Sequence, residues 1–372
     1  MTFDKDTEIK VALSMCKGVT SALVKHLEDC DVDLATLFDG RVSRCLENLG
    51  LRPNLLQDLD LGEALFKARK EIEVMKRHSI EPIFILDDSY PVRLYDIPDA
   101  PIMLYKLGNA NLNNHKLISI VGTRDATPRG MAMTKQFVEE FSKAYPGVTI
   151  VSGLAYGIDS AAHISALDHG LPTIAVLAHG LQMIYPAANR DLARQILSRG
   201  GAILSEYSFG TQPYRGHFLE RNRIVAGISD VTIVMESDVK GGAMSTARCA
   251  DEYNRCVLAV PGRPSDRESS GCNQLIRRHR AEIITAPSEL SDAIGWIAET
   301  PTPAQERSLF PELDGDNKAV YEYLYSCDRP CHFDEIHNAT NIPVAHLMAL
   351  LSELEFDGIV VRHPGNRYSV LR

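Results

Sequence analysis

The sequence lacks the excess of positive charge that marks proteins binding nucleic acid through bulk electrostatics. Its 372 residues include 39 Lys and Arg against 49 Asp and Glu, which gives a formal net charge of −10. A histone-like protein is therefore excluded, whereas a local basic groove on an acidic body remains compatible with this balance. The hydrophobic share of 45% and the charged share of 24% also exclude a disordered or collagen-like chain.

Long apolar runs and paired cysteines are missing as well. No stretch reaches the roughly 18 apolar residues that cross a bilayer, and the first eight residues are acidic where a secretory signal would be basic and then apolar. The eight cysteines are scattered without a Cys-x-x-Cys pair, which is typical of reduced thiols. We therefore expect a cytoplasmic protein with no membrane partner, no metal and no cofactor.

Residues 1–78 predict a small helical domain. Apolar residues recur at helical spacing in short segments between Ile9 and about Arg77. Residues 18–20 and 48–51 interrupt these segments in the manner of sterile-alpha-motif (SAM) or helix-hairpin-helix (HhH) modules, although plain helix connections have the same signature.

Residues 79–298 predict the main domain. Prolines separate short extended segments up to residue 108, which we interpret as strands added to the next sheet. From Lys116 onward, apolar strands alternate with helix-length segments, and the first helix should run from about Pro128 to Ala144. The predicted strands span residues 117–121, 148–151, 173–177, 202–205, 231–235, 257–260 and 282–284. This alternation indicates an α/β fold with a doubly wound, mostly parallel sheet, whose ligand should lie beyond the carboxyl ends of the strands.

A linker at 299–316 and a compact tail at 317–372 complete the chain. Two closely spaced prolines mark the linker, and the tail predicts three helices and a two-stranded wing, a winged-helix domain. From Leu313 to the end there are 5 Lys and Arg against 9 Asp and Glu, and the third helix carries no Lys or Arg. Because a major-groove reader normally brings cations to phosphates, we expect this tail to contact protein or to tune assembly.

Two strand-to-helix loops carry glycines that favour an anion. After the first parallel strand, Gly122 permits close approach of a ligand, Arg124 supplies a guanidinium, and the following helix has a free N-terminus. After the second strand, Gly153 opens a similar loop, which suggests a ligand with more than one phosphate. His163 follows on the helix after this loop. A histidine packed in the core is a simpler interpretation of it than a catalytic acid or base.

The densest polar cluster runs from Tyr214 to Arg223. Residues 210–280 hold 11 Lys and Arg against 8 Asp and Glu, a local excess of positive charge in an acidic chain. Arginines interleaved with an aromatic ring suit single-stranded nucleic acid, because guanidinium groups hold phosphates while a base stacks on the ring. A solvated basic helix end with Phe218 in the core is the alternative.

A third glycine loop, Lys240-Gly241-Gly242, follows a later strand and opens a helix. Its continuation is similar to the P-G-G-x-G-T-x-x-E motif of nucleotide phosphoribohydrolases of the lysine-decarboxylase-like fold. Ser245 stands at the third glycine of that motif and Cys249 at its glutamate, so the carboxylate that would act on the ribose is missing from its place. This enzyme is the alternative function, and we found no other catalytic or metal-binding pattern.

Taken together, these loops resemble the DNA processing protein A family (DprA, also called Smf). The resemblance covers about residues 80–298 and rests on six segments: V-G-T-R at 121–124, S-G-L-A-Y-G-I-D at 152–159, Y-P-A-A-N at 185–189, L-S-E-Y at 204–207, F-L-E-R-N-R-I-V-A-G at 218–227 and A-V-P-G at 259–262. The helical head and the winged tail fit the same family less specifically.

The resemblance implies an extended Rossmann-like domain that binds single-stranded DNA, forms a homodimer and helps a RecA-type recombinase onto DNA during natural transformation, without catalysis. The DNA-binding residues that it and the loops indicate are Gly122, Arg124, Gly153, Arg215, Phe218, Arg221, Asn222, Arg223, Lys240 and Gly241. Our hypothesis is that phosphates lie on the first two helix N-termini, held by Arg124 and Arg221, while a base stacks on Phe218.

The sequence also departs from the family pattern. Lys240-Gly241-Gly242-Ala243-Met244-Ser245-Thr246 replaces a more usual S-G-S-L-x-T loop, Leu219 replaces a proline, and Arg278-His279-Arg280-Ala281 replaces a typical glycine-alanine step. The additional arginines either widen the basic surface or are simply solvated.

Overall fold

A computed structural model describes residues 3–38, 61–298, 315–327, 329–356, 359–363 and 365–370. The chain divides into two compact units, Met1–Pro301 and Thr302–Arg372. Within the ranges given, no helix is both long enough and apolar enough to span a membrane. The predicted boundary between a head and a main domain at residues 78 and 79 stays a prediction.

The first unit begins with helices, as the apolar spacing predicts. The helices of the unit are α1 (Lys5–Ser14), α2 (Ser21–Asp29), α3 (Leu61–His78), α4 (Val92–Tyr95), α5 (Pro128–Ala144), α6 (Ile158–Asp168), α7 (Arg190–Ser198), α8 (Arg215–Gly227), α9 (Ala243–Glu252), α10 (Ser270–Arg277) and α11 (Leu290–Ile294). Asp4 and Thr20 cap α1 and α2 by accepting hydrogen bonds from backbone N–H groups of their first turns. The interruption predicted at 48–51 falls outside the described residues.

The strands of this unit form one mixed sheet. They are β1 (Glu81–Phe84), β2 (Met103–Gly108), β3 (Leu117–Gly122), β4 (Thr149–Ser152), β5 (Thr173–Leu177), β6 (Ala202–Ser205), β7 (Val231–Glu236), β8 (Cys256–Ala259) and β9 (Glu282–Ile283). Their spatial order is β1-β2-β6-β5-β4-β3-β7-β8-β9. All pairs from β6 to β9 are parallel, whereas β1 and β2 add antiparallel strands at one edge. The predicted doubly wound, mostly parallel sheet is confirmed.

Side chains alternate between two cores because successive residues of a strand face opposite sides of the sheet. On β3, Ile118 and Ile120 pack with α5 in one core, whereas Leu117 and Val121 belong to the core that includes residues of α8 and α9. Helices therefore cover both faces. The predicted bounds of α5 are confirmed: Thr127 caps the helix by accepting from the Gly130 N–H at 3.0 Å, and Pro128 opens it.

The strand order reverses between β3 and β7. From β3 the chain proceeds outward through β4, β5 and β6, then returns to β7 and proceeds the other way through β8 and β9. In open α/β sheets the crevice outside the carboxyl ends of the strands at such a point is the usual ligand site. The loops after β3, β4 and β7 all end there.

The second unit has the winged-helix elements that the sequence predicts. Its elements are α12 (Gly315–Ser326), β10 (Cys331–His332), α13 (Phe333–Thr340), α14 (Val344–Phe356), β11 (Val360–His363) and β12 (Arg367–Val370). The sheet has the order β10-β12-β11, so a third strand joins the predicted hairpin. β10 is only two residues long, too short to produce an alternating pattern.

Candidate functional site

A cleft of about 670 Å³ lies at the carboxyl ends of β3, β4 and β7 and against the N-terminal half of α8. Nine of the ten predicted site residues line it: Gly122, Arg124, Gly153, Arg215, Phe218, Arg221, Asn222, Lys240 and Gly241. These residues come from four separate segments of the chain. The cleft coincides with the reversal of strand order, where the sequence predicts a ligand.

Helix α8 contributes the cleft residues that share one of its faces. Arg215, Phe218, Leu219 and Asn222 recur at intervals of three and four residues, which brings side chains to the same side of a helix. Arg223 is the predicted residue that lies elsewhere. Its guanidinium forms an ion pair with Glu206 and donates to the Asp99 carbonyl at 2.6 Å. The structure thus places Arg223 away from the cleft, and its predicted contact with DNA is without geometric support.

Arg221 lies in the floor of the cleft and is only 5% exposed. Its Nη1 donates to the carbonyl of Gly153 at 2.8 Å and to the carbonyl of Val176. A Cβ at Gly153 would lie 2.4 Å from this guanidinium, so glycine is required for the close approach. The geometry therefore gives Arg221 a different role from the phosphate clamp of our hypothesis: it joins the strand ends beneath the cleft.

The N-terminus of α5 is occupied by a carboxylate of the protein itself. Glu236, 5% exposed at the end of β7, accepts from the Thr127 N–H at 2.8 Å and from the Thr127 hydroxyl at 2.7 Å. An added Cβ at Gly130 would lie 2.4 Å from a Glu236 carboxylate oxygen. A phosphate would meet this carboxylate, so the geometry gives no support to a phosphate at the N-terminus of α5, which stays a prediction.

The loop before α6 also has a hydrogen bond to a carboxylate of the protein itself. The Asp159 carboxylate accepts from the Ala155 N–H at 3.2 Å, and the carboxyl group is buried. Burial raises the pKa of Asp159, while the nearby Arg221 guanidinium opposes that rise. Asp159 thus accepts from the loop before α6, while the Ile158 N–H at the start of the helix donates to the Thr123 carbonyl at 3.2 Å.

The N-terminus of α9 differs from these two. Gly242 occupies the N-cap position without a side-chain cap, and a Cβ built there would meet open space within 4 Å. Lys240 and Gly241 precede it and line the cleft. The Met244 and Ser245 N–H groups of its first turn donate to the Gly241 and Gly242 carbonyls, so an external anion would meet this helix at the N–H groups of Gly242 and Ala243, ahead of them.

Three cations stand around the cleft with exposed side chains: Arg124, Arg215 and Lys240. None of them forms an ion pair with the residues that the structure describes, in contrast to Arg223. Uncompensated cations on the rim of a concave surface attract an anionic ligand. Asp125 also lines the cleft, so the net positive charge of the rim is smaller than the number of its cations.

An aromatic pair forms one wall of the cleft. The rings of Phe218 and Tyr185 lie 5.8 Å apart between centroids at 59°, and the Arg124 guanidinium lies over the Phe218 ring at 5.2 Å. Tyr185 is 46% exposed. Tyr185 belongs to the Y-P-A-A-N segment of the family resemblance, and its local sequence carries no signal of a stacking surface.

Two residues that suggested catalysis are packed. His163 is buried, with Nδ1 2.7 Å from the Thr173 hydroxyl, and burial lowers its pKa to about 3. The Cys249 thiol, at the glutamate position of the phosphoribohydrolase motif, has a pKa raised by burial. Neither group is a base facing the cleft. In the described ranges, no group of three or more His, Cys, Asp or Glu side chains is placed to bind a metal.

Comparisons with known proteins agree on one family. The family described as DNA recombination-mediator protein A matches residues 81–295, and the DprA winged helix domain matches residues 300–366. Protein Smf of Synechocystis sp. is 36% identical and is matched over 96% of this chain and 97% of its own.

Two solved structures are similar as well. DNA processing protein A from Streptococcus pneumoniae has a TM-score of 0.64 at 31% identity, over 78% of this chain and 98% of its own. A structure describing the single-stranded DNA binding mode of DNA processing protein A from Helicobacter pylori has a TM-score of 0.51 at 33% identity. The match covers 57% of this chain and 94% of the Helicobacter pylori chain.

Proposed function

The chain belongs to the DNA recombination-mediator protein A (DprA/Smf) family, and we propose that it binds single-stranded DNA in the cleft at the carboxyl ends of β3, β4 and β7. The observation that carries this proposal is the convergence of three unpaired cations and an aromatic wall on one concave surface. The single-stranded DNA binding mode described for the Helicobacter pylori relative supports the same ligand.

The arrangement suggests different roles for the residues of the cleft. Arg124, Arg215 and Lys240 contact phosphates, and the open N-terminus of α9 adds backbone N–H donors. A base stacks at the wall formed by Phe218 and Tyr185. Arg221 holds the Gly153 loop in place from below rather than touching the DNA. Since none of these contacts reads a base edge, binding is largely independent of sequence and weakens with salt.

We also propose that the DNA-bound protein acts as a homodimer that brings a RecA-type recombinase onto the strand, without a chemical step of its own. The description of the family as recombination mediators supports this. Size-exclusion chromatography with light scattering tests the dimer. A strand-exchange assay tests the recombinase: the protein should accelerate assembly of recombinase filaments on single strands, and an unchanged lag would contradict it.

The experiment that tests DNA binding is a fluorescence titration of labelled oligo-dT against the full chain. Arg124→Ala should weaken binding, because it removes both a phosphate contact and the cation over Phe218. Arg194→Ala is a matched control, since Arg194 is exposed on α7 and pairs with Asp191 away from the cleft. Equal affinities for the parent, Arg124→Ala and Arg194→Ala would refute the proposal.

The alternative, a nucleotide phosphoribohydrolase, gains no support from the geometry. The two carboxylates that line the cleft are Asp125 and Asp159, and Asp159 is buried against the Ala155 N–H. Incubation with nucleoside monophosphates should release no free base. Release of a base would support the phosphoribohydrolase activity instead.

A further inference from the structure

A second, smaller basic depression shares helix α9 with the cleft. It has a volume of about 150 Å³, and Arg248 on α9 and Arg278 and Arg280 after α10 line it together with Gln274 and Asp251. The three arginine side chains are exposed. This depression uses the residues at which the sequence departs from the family pattern, so the family resemblance assigns it no role.

The charges of this depression are only partly balanced. Arg248 reaches Glu252 at 3.9 Å and Arg280 reaches Asp251 at 4.0 Å, and all four of these side chains are substantially exposed. Arg278 has no ion pair with any described residue, and the neighbouring Arg277 has none either. At such long distances and high exposure the two pairs contribute little, so the three guanidinium groups of the depression outnumber the two carboxylates, Asp251 and Glu252, that pair with them.

The backbone at this turn favours glycine, yet the sequence places a histidine there. His279 has φ of +54°, in the left-handed region. The turn ends α10 with a hydrogen bond from the Arg280 N–H to the Leu275 carbonyl at 3.0 Å, the pattern in which glycine is most common. Residues with a Cβ avoid this conformation, because the Cβ lies too close to the following carbonyl oxygen. The left-handed position is thus held by a histidine, with an arginine on either side of it.

Helix α9 connects the two concave surfaces. Its residues Ala243 and Thr246 line the cleft, whereas Ala247 and Arg248 line the depression. From Ala243 to Arg248 the axial rise is about 7.5 Å at 1.5 Å per residue. A single DNA strand that passes Lys240 and the N-terminus of α9 therefore has to advance only about 7.5 Å along the helix axis to come level with Arg248.

We propose that Arg248, Arg278 and Arg280 form a second phosphate subsite that extends the path of single-stranded DNA beyond the cleft along α9. This inference rests on the proposed function, because it assumes that the strand enters through the cleft. The subsite makes the protein's DNA footprint longer than the cleft alone allows. It contributes affinity only to strands long enough to occupy both surfaces.

The test compares two lengths of oligo-dT, about 5 and about 15 nucleotides, within the range that compact single-strand-binding folds cover. The full-length variant Arg278→Ser/Arg280→Ser should bind the short strand within about twofold of the parent, with the long strand weakened at least about fivefold. The slope of log K against log[salt] for the long strand should become shallower by about 1.4, since each single-strand phosphate contact contributes about 0.7.

The matched control is Arg77→Ser/Arg194→Ser, which removes two exposed arginines from α3 and α7. It should leave both strands and the salt slope unchanged. Far-ultraviolet circular dichroism confirms that each variant is folded. Arg248→Ser is an independent variant in the middle of a helix, and it should make the slope of log K against log[salt] for the long strand shallower by about 0.7.

The second subsite would be overturned if the Arg278→Ser/Arg280→Ser variant bound the long strand with the same affinity and the same salt slope as the parent. Equal losses for the short and long strands would also overturn it, since the variant would then act on the cleft. Arg124→Ala separates the two proposals: if it weakens both strands while the double variant weakens neither, the cleft stands and the subsite fails. If Arg124→Ala binds both strands like the parent, the proposed function itself fails.

Discussion

The guanidinium of Arg124 lies 5.2 Å from the centroid of the Phe218 ring, although the two residues are on different elements of the fold. The cation and the aromatic face are therefore held together before any ligand arrives. A nucleotide carries a phosphate and a base within one unit, so it can contact both groups at once. This pairing makes Phe218 the residue whose contribution is most directly measurable.

Phe218→Ala should weaken oligo-dT binding by about 1–3 kcal/mol, or about fivefold to 150-fold, because it removes a stacking surface for a base. Fluorescence titration at fixed salt measures this. Phe66→Ala is the control, since Phe66 is an exposed phenylalanine on α3. If both variants bind like the parent, the aromatic wall does not contact DNA.

Lys240→Ala should reduce the salt dependence of binding. A lysine that neutralises one phosphate contributes about 0.7 to the slope of log K against log[salt] for a single strand, so the slope should become shallower by about that amount. Lys143→Ala removes an exposed lysine that pairs with Glu139 on α5 and should change nothing. Titration at four salt concentrations gives the slopes, and identical slopes for Lys240→Ala and the parent would exclude the phosphate contact.

Arg221→Met should destabilise the first unit by about 3–5 kcal/mol, because it removes a buried cation close to Asp159 and leaves two carbonyls without their donor. The single tryptophan, Trp296, lies in that unit against Tyr145, so its fluorescence follows unfolding in urea. Arg194→Met on the surface should stay within about 0.5 kcal/mol of the parent. A similarly small effect at Arg221 would show that its hydrogen bonds are dispensable.

His163 should make stability fall in acid. Its pKa is about 3 in the folded protein against an ordinary value of 6.5, so between these values the unfolded chain binds a proton that the folded chain does not. The free energy of unfolding therefore decreases as the pH falls below 6.5, by about 2 kcal/mol at pH 5 from this group.

His163→Gln isolates that contribution, because a glutamine can still hydrogen-bond to Thr173 but does not titrate. The loss of stability between pH 7 and pH 5, measured by urea unfolding, should be smaller in the variant than in the parent. Equal losses would mean that His163 is protonated in the folded state.

Removal of residues 302–372 should leave affinity for single strands within about twofold of the full chain, because the cleft lies wholly in the first unit. The acidic third helix of the second unit offers no cation to phosphates. Titration of the full and shortened chains with the same oligo-dT measures this. A loss of more than about tenfold would assign DNA contacts to the winged helix.

Much of the site followed from short-range patterns. Gly122 ends β3 and Gly153 follows β4, two strands whose other residues are buried, and Arg215 and Phe218 share a helix face by spacing alone. A local pattern could not indicate Tyr185, because Phe218, whose ring it contacts, is 33 residues further along the chain. Nor could it separate Arg223 from Asn222, since adjacent helix positions point about 100° apart and the destination of each depends on what packs there.

The sequence by itself determined the alternation of strands and helices, the parallel sheet and the place where ligand loops gather, because burial imposes periodicities of 2 and 3.6 on neighbouring residues. Which side chains reach these loops depends on contacts between distant parts of the chain. Glu236 reaches the N-terminus of α5 from 109 residues away, and Arg221 reaches the Gly153 carbonyl from 68. A helix N-terminus binds whichever anion is nearest, and proximity across the sheet is not encoded in any single segment.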